Sequence, residues 1–81
     1  KMSEPDLVIR ADWDEEAGVW VASCSQISGL SIEAESIDDL RCKLTGALVD
    51  LFELNGPPGS GGDEPLIELV THSHLHIPAA A

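Results

Sequence analysis

The chain has 81 residues and a formal net charge of -11, from 4 Lys+Arg against 15 Asp+Glu. This length predicts a single domain, residues 1–81, that buries only about 60% of its unfolded surface, so a homo-dimer or higher homo-oligomer is expected. The acidic charge argues against direct binding of nucleic acid or of an anionic membrane surface. The same charge would speed association with a basic protein, although it also serves solubility alone.

The two cysteines and the apolar runs give little sign of a redox or membrane role. Cys24 and Cys42 have no C-x-x-C spacing and are predicted to be buried free thiols. No apolar run approaches the roughly 18 residues that span a bilayer, and residues 1–6 are too polar for a signal peptide. We therefore expect a cytoplasmic protein.

The first half of the chain predicts an antiparallel meander. Apolar and polar residues alternate along residues 6–13 and 30–34, and residues 19–24 are rich in β-branched and aromatic types. Gly18 can close a four-residue loop after the first strand, and pairing Trp13 with Trp20 sorts apolar and polar residues best between the two faces. The two tryptophans are interpreted as core or interface residues.

A helix is predicted to follow from about Ile37, because Ser36 stands where an N-cap belongs and Asp38 and Asp39 complement the helix dipole. Its apolar stripe would lie across the sheet. The stripe consists of Ile37, Leu40, Leu44, Ala47, Leu48, Leu51 and Leu54.

The region after the helix is predicted to hold a connector and one more strand. Residues 55–63 are rich in glycine and proline, which stop the helix, and residues 64–77 resemble a strand with Ile67 and Leu69 inward. The predicted fold class is α+β: an antiparallel three- to four-stranded sheet, β-β-β-α-β, with one helix packed on one face and a core in residues 6–54.

Four valines are predicted to lie on the sheet face opposite the helix. Val8, Val19, Val21 and Val70 would leave more apolar surface there than a solvated face needs. This face, or a sheet edge, is therefore predicted to form the oligomer interface.

Candidate chemistry is sparse, and we expect neither an enzyme nor a cofactor. His72, His74 and His76 would share one side of a strand about 6 to 7 Å apart, the spacing of a possible zinc or nickel site. A solvated polar face explains them as simply, so they are only weak metal candidates. The paired carboxylates of the turn and the helix start fit capping roles, and no nucleophile stands in a motif of its own.

A family resemblance rests on the acidic turn with Gly18, on Val19-Trp20-Val21-Ala22, on Gly29-Leu30 and on residues 33–40 before an amphipathic helix. The chain resembles the HicB-like antitoxin domain over roughly residues 6–54. It departs from the family at Gly29-Leu30, where a Gly-Cys pair is frequent, and at residues 34–36, where Gly-Asp-Thr is frequent. Many members carry a DNA-binding region after the sheet domain, whereas only one further strand is predicted after the helix here, so operator binding is not expected.

The resemblance implies a non-enzymatic antitoxin that neutralises a small basic HicA-like RNA-cleaving toxin. The alternative is a stand-alone oligomeric regulatory or ligand-binding protein with no toxin partner. The acids predicted to contact a basic partner are Glu15, Glu16, Glu33, Glu35, Asp38 and Asp39.

Overall fold

The computed structural model describes residues 4–58 and 64–80, and these form one mixed sheet and one helix. The elements are β1 (Leu7–Asp14), β2 (Val19–Ser23), β3 (Ser31–Ala34), α1 (Ile37–Asn55) and β4 (Ile67–His72). The strand order across the sheet is β3-β2-β1-β4. The predicted α+β class with a single helix is confirmed.

The β1–β2 hairpin has the register that the polarity pattern predicts. Trp13 pairs with Trp20, and Arg10 pairs with Ser23 in the antiparallel ladder. The ladder ends at Ser23, but the Gln26 side chain prolongs it, since Gln26 Oε1 accepts from the Val8 amide at 3.0 Å. The register of the hairpin therefore determines by itself which side chains of β1 face the helix.

The prediction of a fully antiparallel sheet is wrong, because β4 pairs with β1 in parallel. Leu7 is paired with Ile67 and Asp12 with His72. The chain leaves β3 at one edge, returns along α1 and enters β4 at the other edge. Strands β1, β3 and β4 consequently run in one direction, and only β2 opposes them.

The core lies between α1 and the inner strands. Ile9, Ala11, Ala22 and Leu40 have no solvent exposure, and Ala34 retains 3%. Ala11 and Ala22 are paired across β1 and β2, and Ala34 lies diagonal to Ala22 on β3, so small side chains leave room for a helix to approach closely. The other buried residues are Leu7, Cys24, Leu44 and Leu48.

The helix lies mainly over β3 and β2, and near its C-terminal end the residues that face the core differ from those predicted. Leu54 is 83% exposed, so its predicted core position is wrong, whereas Phe52 packs against the core. Leu54 lies in the last turn, near the end of the helix. Cys24 is buried as predicted, but Cys42 is exposed.

The region after the helix differs from the prediction in length and extent. Gly56, with a φ of 82°, caps α1 by donating its amide to the Phe52 carbonyl at 2.7 Å. Residues 59–63 of the predicted connector lie outside the described residues. The final strand spans Ile67–His72 and does not reach residue 77 as predicted, because β1 ends two residues beyond Asp12, the partner of His72.

Candidate partner-binding face

The topology gathers most of the predicted partner-binding acids at one end of the sheet, which we call the turn end. Strand β1 finishes there at Asp14, and β3 finishes there because its Ala34 pairs with Trp20. Glu15 and Glu16 lie in the β1–β2 turn, while Glu35, Asp38 and Asp39 follow β3 into the helix. Glu33 lies beside Val21, slightly further from this end. All six predicted acids are exposed.

The β1–β2 turn holds its acidic side chains outward through its own hydrogen bonds. Asp14 Oδ1 accepts from the amides of Glu16 at 3.0 Å and Ala17 at 3.2 Å, and the Gly18 amide donates to the Asp14 carbonyl at 2.8 Å. Gly18 has a φ of 70°, a left-handed conformation that other residues rarely adopt. Asp14 therefore shapes the turn, while Glu15 and Glu16 stay exposed at its tip, where Glu15 also contacts His76.

The helix start is fixed by the predicted N-cap. Ser36 is extended, with φ -136° and ψ 161°, and its Oγ accepts from the Asp39 amide at 3.1 Å. Asp38 and Asp39 occupy the first turn, where a carboxylate is stabilised by the positive end of the helix dipole. Their charges have a structural role as well, whereas the Glu35 side chain has no hydrogen bond or ion pair to residues 4–58 or 64–80.

Lys43 connects the helix to the third strand at this face. Its Nζ donates to the Glu33 carbonyl oxygen at 2.9 Å. This hydrogen bond ties the helix to the backbone of β3, while the Glu33 side chain stays exposed.

The histidines also lie at the turn end, and two of them contact carboxylates. His72 Nδ1 lies 3.3 Å from Asp12 Oδ1, and His76 Nε2 lies 3.0 Å from Glu15 Oε2. The residues after β4 therefore continue alongside the β1–β2 turn. A shallow groove of about 600 Å³ lies there, lined by Asp12, Trp13, Asp14, Glu15, Glu16, Val21, Ser23, His74 and His76.

The predicted row of imidazoles on a strand is wrong, because only His72 belongs to β4. The rings of His72 and His74 meet edge to face with centroids 5.0 Å apart, while His76 contacts Glu15. Within residues 4–58 and 64–80, no three histidine, cysteine or acidic side chains are grouped so as to hold a metal ion. The weak metal candidates are thus not assembled into a site.

The tryptophans form the packed base of the turn end. The rings of Trp13 and Trp20 meet edge to face, with centroids 5.3 Å apart and planes at 61°. Both are half-buried, and Trp20 packs against the core. This arrangement agrees with the interpretation that they stabilise the hairpin by aromatic packing.

The four valines of the predicted oligomer interface do lie on the face away from the helix, but polar residues separate them. Val70 is next to Arg10, and Val21 is next to Asp12 across the β1 ladders. Arg10 and Asp12 form an ion pair of 3.2 Å in the middle of this face. Val8 and Val70 are 40% and 37% exposed, whereas Val19 and Val21 are half-buried. The face is therefore mixed in polarity and not a continuous apolar patch.

Sequence reasoning missed an apolar groove of about 440 Å³ on the opposite face, between α1 and β4. It is lined by Ile9, Arg41, Leu44, Thr45, Leu48, Val49, Phe52, Ile67 and Leu69. Val49 and Phe52 widen the apolar side of the helix beyond the predicted stripe. These two apolar residues outside the predicted stripe were the sign of the groove in the sequence, because a helix needs only one apolar stripe to pack on a sheet.

Fold and face together define a class: a small acidic α+β domain with carboxylates concentrated at one end of a mixed sheet. Residues 6–77 match the family described as Domain of unknown function (DUF1902), and the chain belongs to that family. None of the curated proteins matches the chain. No helix in residues 4–58 or 64–80 is long and apolar enough to cross a membrane.

A solved relative has the same fold. The crystal structure of hypothetical protein TTHA1013, from the extremely thermophilic bacterium Thermus thermophilus, is similar with a TM-score of 0.62 and 33% sequence identity. The match covers 90% of this chain and 97% of that chain. The similarity therefore extends over nearly the whole of both proteins.

Proposed function

We propose that the chain is a non-enzymatic protein-binding module, similar in role to HicB-like antitoxins, that binds a small basic protein through its turn end. The observation that carries this proposal is the concentration of exposed carboxylates there. Five of the acids, Glu15, Glu16, Glu35, Asp38 and Asp39, are contributed by the hairpin turn and the helix start. A basic partner would meet a local negative potential in addition to the net charge of -11.

The rigidity of the two acidic segments supports a binding role. Hydrogen bonds fix both the β1–β2 turn and the helix N-terminus, so the partner would order few additional residues. A HicA-like RNA-cleaving toxin fits this chemistry, because a protein that binds RNA needs a basic surface that an acidic protein can cover. Homo-oligomerisation belongs to the same proposal.

The first experiment is to purify the untagged chain from its own host and to identify what copurifies. A small basic protein in constant ratio to the chain is expected. If the chain alone is recovered from gentle lysis at low salt, a stable complex with a basic protein is contradicted.

The second experiment locates the binding surface with two double variants of equal charge change. Glu15→Lys with Glu35→Lys alters the turn end, whereas Asp50→Lys with Glu53→Lys alters exposed helix residues away from it. At low salt the first pair should slow association with the recovered partner by about tenfold or more, and the second pair should have a much smaller effect. Equal slowing by the two pairs would mean that only the net charge matters, which contradicts a binding face at the turn end.

A further inference from the structure

The outer edge of β4 is an unpaired strand edge in the described structure. The sheet order is β3-β2-β1-β4, so β4 has β1 on one side and no strand on the other. The residues that follow it run toward the hairpin, where His76 contacts Glu15. They therefore do not cover the outer edge.

The direction of the backbone groups along β4 follows from the bonds of Leu66. Its amide donates to Asp6 Oδ2 at 2.8 Å, and its carbonyl accepts from the Asp6 amide at 2.7 Å, so both groups face β1. Because these groups alternate along a strand, those of Ile67, Leu69 and Thr71 face outward. The edge therefore offers alternating donors and acceptors to another strand.

The side chains of β4 are complementary to themselves when a second copy runs in the opposite direction. With Val70 opposite Val70 of the second copy, Glu68 lies opposite His72 of that copy, and the reverse pair forms by symmetry. The Val70 pair and the two Glu68–His72 pairs are all non-hydrogen-bonded pairs of the antiparallel ladder, in which Cα atoms approach to about 4.5 Å. His72 uses Nδ1 toward Asp12, which leaves Nε2 for the carboxylate of the second copy.

We propose that two copies of the chain pair antiparallel through their β4 edges about an axis at Val70, which joins the two sheets into one. The axis makes the interface isologous, since each copy contributes the same surface. A parallel arrangement in register would instead place Glu68 opposite Glu68, which is repulsive. The hydrogen bonds that Glu68 and His72 can form across the two-fold axis thus favour a second copy in the antiparallel direction.

The helix-facing side of the pair supports the same arrangement. Leu69 would lie opposite Thr71 of the second copy, beside the half-buried Ile67 and the groove between α1 and β4. The grooves of the two copies would then border the same junction. Apolar surface that α1 leaves uncovered in one copy is brought next to that of the other.

Site-specific disulfide formation tests the register. In a Cys42→Ser background, which removes the exposed native thiol, Val70→Cys should give a disulfide-linked dimer under mild oxidation. Val8→Cys is the matched control, because Val8 is on the same face with similar exposure but lies on an inner strand. Cross-linking of V70C no greater than that of V8C would overturn the proposal, and cross-linking through Leu69→Cys in preference to V70C would overturn the register.

Sedimentation of the unlinked chain tests the edge itself. Thr71→Pro removes an amide that faces outward and should lower self-association, whereas Thr71→Val keeps that amide and should not. Circular dichroism confirms that each variant is folded, and the disulfide test does not depend on T71P. A wild-type chain that sediments as a monomer even at high micromolar concentration would overturn the proposal. The dimer rests on the homo-oligomerisation proposed above, but neither measurement involves a basic partner, so its failure can be distinguished from a failure of partner binding.

Discussion

The two halves of the helix-facing side of the sheet are packed very differently. Over β2 and β3 the helix approaches closely, and Ala22 and Ala34 are 0% and 3% exposed. Over β4 the residues Ile67 and Leu69 remain half-buried beside a groove of about 440 Å³. The small side chains of β2 and β3 allow the helix to pack closely on that side of the sheet, and β4 is left uncovered. We therefore expect side chains of the β2–β3 half to contribute most to the free energy of unfolding. The β4 half remains available for association.

Truncation of one leucine in each half should give the largest difference in the free energy of unfolding between the two halves. Leu40→Ala removes a fully buried side chain under the helix and should lower the free energy of unfolding by about 2–5 kcal/mol. Leu69→Ala removes a half-buried side chain at the groove and should cost roughly 1 kcal/mol. Urea unfolding followed by circular dichroism measures both. Similar losses for the two variants would show that the groove side is as tightly packed as the other.

Enlargement of a side chain tests the difference in packing between the two halves by adding volume instead of removing it. Ala22→Leu places extra methyl groups where no space remains and should cost about 1–3 kcal/mol. Thr71→Leu, on the exposed helix-facing side of β4, should change the stability by less than about 0.5 kcal/mol. Thermal unfolding of the two variants decides the matter, and full tolerance of A22L would contradict close packing under the helix.

Removal of the N-cap tests how firmly the helix is held at its start. Ser36→Ala leaves the Asp39 amide without its side-chain acceptor and should destabilise the domain by about 1 kcal/mol. Ser25→Ala, at an exposed turn, is the control and should cost less than about 0.5 kcal/mol. Chemical denaturation of the pair is the measurement. An equal effect at both positions would mean that the cap contributes little.

The smallest effect is expected from the tie between α1 and β3. Lys43→Met keeps most of the apolar stem but removes the donor to the Glu33 carbonyl, at a cost below about 1 kcal/mol because the bond is exposed. Arg41→Met, in the same helix but at the groove, removes an equal charge and serves as the control. Unfolding at two salt concentrations compares them. A larger loss of unfolding free energy for R41M than for K43M would contradict the expectation that the β2–β3 half contributes more to stability than the groove side.

The hairpin and the helix start could be predicted because local chemistry determines them. The register with Trp13 opposite Trp20 sorted the polarity of the first two strands best, and Ser36 had the residue type and place of an N-cap. The direction of β4 could not be predicted, since an alternating pattern reads the same for parallel and antiparallel pairing. Connectors of glycine and proline carry no signal for direction either.

The C-terminal end of β4 shows a second limit of the sequence pattern. The alternation of His72, His74 and His76 continues beyond the strand, but β1 ends at Asp14 and offers no further backbone partner. The positions of the acids were predicted one by one. Their grouping at a single end follows from the predicted meander, in which β1 and β3 finish together, whereas the arrival of the histidines there depends on the parallel direction of β4.

The pairing of β1 with β4 has a consequence for how the protein folds. Asp6 and Leu66 are joined by hydrogen bonds although 60 residues separate them, whereas the hairpin and the capped helix form through local contacts. Closing so long a loop is entropically costly, so we expect β4 to join the sheet late in folding and to detach first in partial unfolding. Each detachment would turn β1 from an interior strand into a free edge. Amides of β4 should accordingly exchange with deuterium sooner than those of the hairpin.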